Sequence, residues 1–119
     1  MSRTIVVIEK DENILEIVSI VLTSQGFTVK GLQSEHGALQ TILEINPCAI
    51  ILDIIKVTED GTELCRLIRN TKGVKDIPII VLSTHPDADS VKDVCADEVV
   101  FKPFDIDALV AAVEKQVLV

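Results

Sequence analysis

Four residues, each directly following a short apolar run, hold the chemical potential of this 119-residue chain: Glu9, Asp53, Ser83 and Lys102. Asp53 is the most telling. In "AIILDII" it is a lone carboxylate between Leu52 and Ile54, with no turn or helix cap to account for it. A buried charge costs free energy unless a cation or hydrogen bonds compensate it. A carboxylate in that setting can act as a nucleophile and accept a phosphoryl group. Such a transfer needs positive charge on the equatorial oxygens and an oxygen-ligated Mg²⁺. Lys102 can supply the charge and Ser83 can hydrogen-bond a phosphoryl oxygen. Glu9 and Asp11 can hold the metal, with Asp53 and a backbone carbonyl near Ile55 completing the set. The plainer alternative is an Asp53–Lys102 pair that serves packing alone.

These residues need a scaffold that gathers strand ends. Short apolar runs rich in β-branched residues recur at Ile5 to Ile8, Phe27 to Val29, Ala49 to Leu52, Ile79 to Leu82 and Val99 to Phe101. They read as strands buried on both faces. Between them lie helical stripes: Ile14, Ile17, Val18, Val21 and Leu22, then Ala38, Leu39, Ile42 and Leu43, then Leu64, Leu67 and Ile68. A short fourth helix is marked by Val91, Val94 and Cys95, and a fifth by Ile106, Leu109, Val110 and Val113. Gly26, Asn46 with Pro47, Asp60 with Gly61, and Pro78 fall at the expected ends, while Asp105 is placed to cap the last helix. Five βα repeats imply a doubly wound α/β domain with a parallel sheet and right-handed crossovers. Ligands in such sheets bind beyond the carboxyl ends of the strands, where the strand order reverses. The four residues above should converge there.

The whole chain, 1–119, reads as a single domain, and no apolar run approaches the roughly 20 residues that span a bilayer. A net charge of −8 disfavours nucleic acid and anionic lipid as partners, so proteins are expected instead. "MSRTIVV" lacks the pattern of an export signal, which points to the cytoplasm. The three cysteines, Cys48, Cys65 and Cys95, are odd in number and widely spaced, and are read as buried thiols in a reducing compartment.

The segments "VVIEKDENILEIV", "AIILDIIKVTEDGTELCRLIR", "IPIIVLST" and "VVFKPF", in this order and spacing, resemble the receiver domain of bacterial two-component response regulators over the whole chain. The resemblance implies a five-stranded, flavodoxin-like sheet of order 2-1-3-4-5. It implies that Asp53 is the phosphoacceptor, Ser83 the hydroxyl switch residue and Lys102 the essential lysine, followed by a cis bond to Pro103. It also implies a histidine kinase or phosphotransfer protein as donor and a downstream protein or effector domain as target. The domain would then not be an enzyme in the usual sense: it accelerates only its own phosphorylation and dephosphorylation.

Several positions depart from that pattern. Lys10 stands where the family has a second, metal-ligating acid, which should weaken Mg²⁺ binding and slow transfer. Pointing outward, Lys10 is a solvated lysine; pointing inward, its ammonium balances Glu9 and Asp53. Asp11 has a competing role as the N-cap of the first helix. Val99 replaces a common aromatic and is too short and stiff for its rotamer swing. Val57 stands where proline is common, and the segment from Ser83 to Lys102 is short. A pseudo-receiver, the same fold used as a protein-binding module with little or no Mg²⁺-dependent phosphorylation, is the alternative reading. A dehalogenase-like phosphatase would want an acid at Ile55, and a flavodoxin-like cofactor binder would want a Ser/Thr/Gly-rich loop in place of "EKDEN". His36, on the second helix, and His85, in a loop, read as surface residues. The apolar "QVLV" at the end either packs under the sheet edge or marks a chain cut from a longer one.

Overall fold

The computed structural model describes residues 3–117. Five parallel strands, β1 (Thr4–Ile8), β2 (Thr28–Leu32), β3 (Ala49–Asp53), β4 (Ile79–Ser83) and β5 (Glu98–Phe101), form one sheet in the order β2-β1-β3-β4-β5. This is the expected doubly wound α/β sheet. Its order reverses between β1 and β3, which pair through Ile5–Ala49 to Ile8–Leu52.

Strand side chains alternate, so each strand feeds two cores. Val6, Ile8, Ile50, Leu52, Ile79 and Val81 face one layer, covered by α2 (Ala38–Ile45), α3 (Glu63–Arg69) and a 3-10 segment (Ala88–Asp93). Ile5, Val7, Ala49, Ile51, Ile80 and Leu82 face the other, covered by α1 (Glu12–Ser24) and α4 (Ile106–Val117). Burial on both faces holds for the central strands β1, β3 and β4, whereas β2 and β5 are sheet edges and half-exposed. The expectation of fully buried runs is therefore corrected at the two outer strands, which have a neighbour on one side only.

Helix ends follow the punctuation. Gly26 has φ 93° just after α1, and Asn46 takes the left-handed conformation at the end of α2. Asp105 accepts the Asp107 N–H at 2.9 Å at the start of α4. The fourth expected helix exists only as the 3-10 segment, and there Val94 is exposed while Val91 and Cys95 are buried. Ile17, Leu43, Leu67 and Ile106 were expected in the apolar stripes but lie on the exposed flank of their helices. His36 precedes α2 in an exposed turn rather than lying on it. Val117 packs against the α1/α4 layer, and Leu118 and Val119 lie outside the described residues. The Lys102–Pro103 bond is cis.

The cysteines require a correction. Cys65 on α3 and Cys95 after the 3-10 segment are joined in a disulfide, and Cys48 alone is a free thiol, partly rather than fully buried. Two cysteines 30 residues apart meet because both elements cross the same face of the sheet, over β3 and β4.

Candidate functional site

Glu9, Asp53 and Lys102 are brought to one point by three strand ends. Glu9 follows β1 directly, and its N–H donates to the Leu32 carbonyl at 2.9 Å, which prolongs the β1–β2 ladder by one step. Asp53 closes β3. Lys102 follows β5, and its N–H donates to the Ser83 carbonyl at 2.9 Å. The ammonium of Lys102 lies 2.6 Å from Glu9 Oε1 and donates to Asp53 Oδ1 at 3.0 Å. The three side chains are 1%, 5% and 12% exposed for Glu9, Asp53 and Lys102, so the cluster is shielded from solvent.

The charges in this cluster do not cancel, because two carboxylates share one ammonium. Burial pushes the Glu9 carboxyl above its ordinary value of 4.5, and nearby Asp53 adds to the rise; the Lys102 ammonium and the hydrogen bond from the Asp11 N–H only partly offset it. For Lys102, burial works to lower the pKa, but the contacts with the Glu9 and Asp53 carboxylates outweigh it and the ammonium is held above 10.5. Lys102 is therefore charged at neutral pH. Glu9 Oε1, although in contact with that ammonium, is a buried oxygen with no well-directed hydrogen bond.

The remaining candidates take other positions. Lys10 turns outward and pairs with Glu35 at 3.6 Å, so the inward arrangement is not adopted, and among the described residues Lys102 alone balances the two acids. It borders a cleft of about 400 Å³ together with Ser34, Ile55, Lys56 and Asp60. Asp11 caps α1, its Oδ1 accepting from the N–H groups of Asn13 and Ile14 at 2.9 and 3.1 Å. Ser83 is fully buried at the end of β4, and its Oγ accepts from the His85 N–H at 3.0 Å rather than bonding to the acid cluster. His85 sits in the loop, where its Nδ1 accepts from the Asp87 N–H at 3.0 Å. Val99 packs against the α2/α3 layer.

Among the described residues, no group of three or more His, Cys, Asp or Glu is arranged to hold a metal ion. Two carboxylates do converge, Glu9 and Asp53, and one of their oxygens lacks a directed partner. Mg²⁺ is commonly held by one or two carboxylates together with water and phosphate oxygens, so this pair fits the smallest such set.

Two residues support the site in ways that their sequence positions do not indicate. Gly61 lies against the loop that follows Asp53: a Cβ there would fall 2.0 Å from the Lys56 carbonyl oxygen, so only glycine fits. Arg69 clamps the turn ahead of β5, donating to the Cys95 carbonyl through Nε at 2.9 Å and Nη2 at 2.7 Å, and pairing with Asp97. Asp97 in turn accepts the Ile79 N–H at 2.9 Å, which ties that turn to the start of β4.

A doubly wound parallel sheet with two acids and a lysine gathered at its strand ends has the architecture of a signalling receiver domain. The chain belongs to the response regulator receiver domain family, whose model matches residues 5–114, and so to two-component signalling. It is 35% identical over 114 residues to the sensory transduction protein BceR of Bacillus subtilis, covering 92% of this chain and 48% of that protein. It is 32% identical over 116 residues to the DNA-binding response regulator MtrA of Mycolicibacterium smegmatis, covering 95% and 50%. The chain thus spans about half the length of the curated relatives it matches. In fold it is similar to the receiver domain of sensor histidine kinase PA1611 of Pseudomonas aeruginosa, at a TM-score of 0.86 and 20% identity over the full length of both chains. That structure has a magnesium ion coordinated in its active site cleft. Among the described residues, no helix is long and apolar enough to cross a membrane.

Proposed function

We propose that the chain is a single receiver domain that accepts a phosphoryl group on Asp53 and relays it by changing its protein-binding surface. The observation that supports this most is the buried Lys102 ammonium shared by Asp53 and Glu9. An Asp53 carboxylate oxygen attacks the phosphorus of a phosphohistidine on a histidine kinase or phosphotransfer protein. The P–O bond forms as the P–N bond breaks, and the imidazole leaves. Lys102 meets the charge on the phosphoryl oxygens, and the Ser83 hydroxyl, whose Oγ accepts from the His85 N–H, donates its own O–H to one of them. Water later hydrolyses the acyl phosphate, and the same groups assist both steps.

Glu9, Asp53 and the Ile55 carbonyl would hold Mg²⁺, with Asp11 committed to its cap. A bound Mg²⁺ supplies further neutralisation of phosphoryl charge. With Lys10 in place of a second acid, metal affinity falls and transfer is slow. The domain works in the cytoplasm, and its output passes to a downstream protein or to an effector domain elsewhere in a longer chain. DNA contact, where it occurs, belongs to that effector and not to this acidic domain.

Incubation with acetyl phosphate, with and without Mg²⁺, followed by intact-mass measurement tests the reading. The expected product carries one phosphoryl group, forms in low yield and depends weakly on Mg²⁺, and Lys10→Asp raises both yield and metal dependence. Rapid, stoichiometric, Mg²⁺-dependent labelling of the unaltered protein would remove the role given to Lys10. No labelling of either form would leave a protein-binding module without a phosphoacceptor.

A further inference from the structure

We infer that Cys65 and Cys95 form a reversible dithiol–disulfide couple that fastens the segment between Ser83 and β5 to α3. The pair lies on the α2/α3 face of the sheet, not in the acid cluster, and nothing in the phosphoryl chemistry uses it.

Three features of the structure support a couple that opens and closes. The first is what holds the segment. Between Thr84 and Val94 only Ala88 and Val91 are buried side chains, both small, and Val94 is exposed. A stretch with so few buried apolar contacts opens locally at low free-energy cost, and the Cys65–Cys95 bond adds a covalent tie at its C-terminal end. The second is the Arg69 clamp. Its two bonds to the Cys95 carbonyl and its pairing with Asp97 hold the Cys95 end of the segment near α3 through groups other than the sulfurs. With the Cα atoms 5.8 Å apart, within the range of ordinary disulfides, the thiols are held ready to bond. The third is location. The tethered segment runs directly from Ser83 to the strand that carries Lys102, so the bond acts on the stretch joining two site residues.

The oxidant is a low-molecular-weight disulfide of the glutathione class. Cys95, slightly more accessible than the fully buried Cys65, loses its proton and attacks a sulfur of the oxidant. A mixed disulfide forms and one small thiolate leaves. The Cys65 thiolate then attacks Cys95 Sγ, the protein disulfide closes, and a second small thiolate leaves. Two protons and two electrons have passed from the protein to the oxidant, which ends as two thiols. Excess small thiol drives the same steps in reverse.

The test equilibrates the chain, without denaturant, in glutathione buffers of graded ratio, then quenches with acid, alkylates and maps the peptides. Hydrogen exchange is followed in parallel. The linked Cys65–Cys95 peptide should rise and fall with the ratio from both directions, while Cys48 stays outside the pair. Amides of residues 84–96 should exchange faster in the reduced form by on the order of tenfold, with β1 and β3 unchanged. Cys95→Ala should show the fast exchange in every buffer. If that variant does not fold, the two redox forms of the unaltered chain still decide. The inference is overturned if the bond opens only on unfolding, if it never forms from the folded dithiol, or if exchange at 84–96 is the same in both states. None of these outcomes depends on phosphorylation of Asp53.

Discussion

Replacing Lys102 by Met removes the ammonium that contacts both Glu9 and Asp53 and leaves two buried carboxylates facing each other. Deleting one partner of a buried ion pair costs roughly 3–5 kcal/mol, because the other charge is left uncompensated. With all three side chains at most 12% exposed, solvent screening reduces this little. The loss should depend on pH, and its sign follows from Glu9. In the folded protein its carboxyl is raised above the unfolded value of 4.5, so just above that pH the folded state binds more protons than the unfolded chain. Stability is therefore lost as pH rises through the folded pKa. Lys102 is one of the groups that lowers that pKa, so its removal pushes Glu9 further up and widens the window. The K102M deficit, present already at low pH through the lost Asp53 contact, should grow as pH rises from about 4.5 to about 8. The chain has no Trp or Tyr, so urea unfolding followed by far-UV circular dichroism is the suitable assay. Lys10→Met is the reference: its partly exposed pair with Glu35 should contribute no more than about 0.5 kcal/mol at either pH. A K102M deficit below about 1 kcal/mol at about pH 8, or one equal at both pH values, would refute the reasoning.

Asp11→Ala should destabilise the domain by about 1 kcal/mol through loss of the α1 cap, while Asp11→Ser, which keeps a capping oxygen, should stay near the parent in the same unfolding assay. Gly61→Ala places a Cβ against the Lys56 carbonyl and forces the loop after Asp53 to move. It should cost roughly 1–3 kcal/mol and lower acetyl phosphate labelling of the folded protein, read by intact mass.

Much of this organisation was legible because two periodicities carry it. Alternating β-branched runs and helical stripes define the βα repeats, and a lone Asp in an apolar run can persist only where other side chains of the fold supply compensation. That pattern alone places Asp53 and Lys102 at one edge of the sheet. What could not be read depends on direction or on distant meeting. Whether Lys10 faces Glu9 or Glu35 is decided by the loop after β2, more than twenty residues away in the sequence. That Cys65 meets Cys95 depends on two elements crossing the same face, and an odd cysteine count gave no hint of it. The outer strands were overestimated in burial because a β-branched run looks alike whether its sheet has a neighbour on one side or two. The exposed flanks at Ile17 and Ile106 follow from stripes wider than the faces that the sheet covers. Gly61 was visible as a turn residue, but the 2.0 Å approach that makes it obligatory arises only once the loop folds back on Lys56.

The central claim is that Asp53 is the group that becomes phosphorylated, and trapping the acyl phosphate tests it most directly. After acetyl phosphate treatment, borohydride reduction converts a phosphorylated aspartate into homoserine, which peptide sequencing by mass spectrometry then locates. Homoserine at position 53 alone, and none in Asp53→Asn, is the result predicted here. Homoserine at Asp11 or another carboxylate with position 53 unmodified would contradict it.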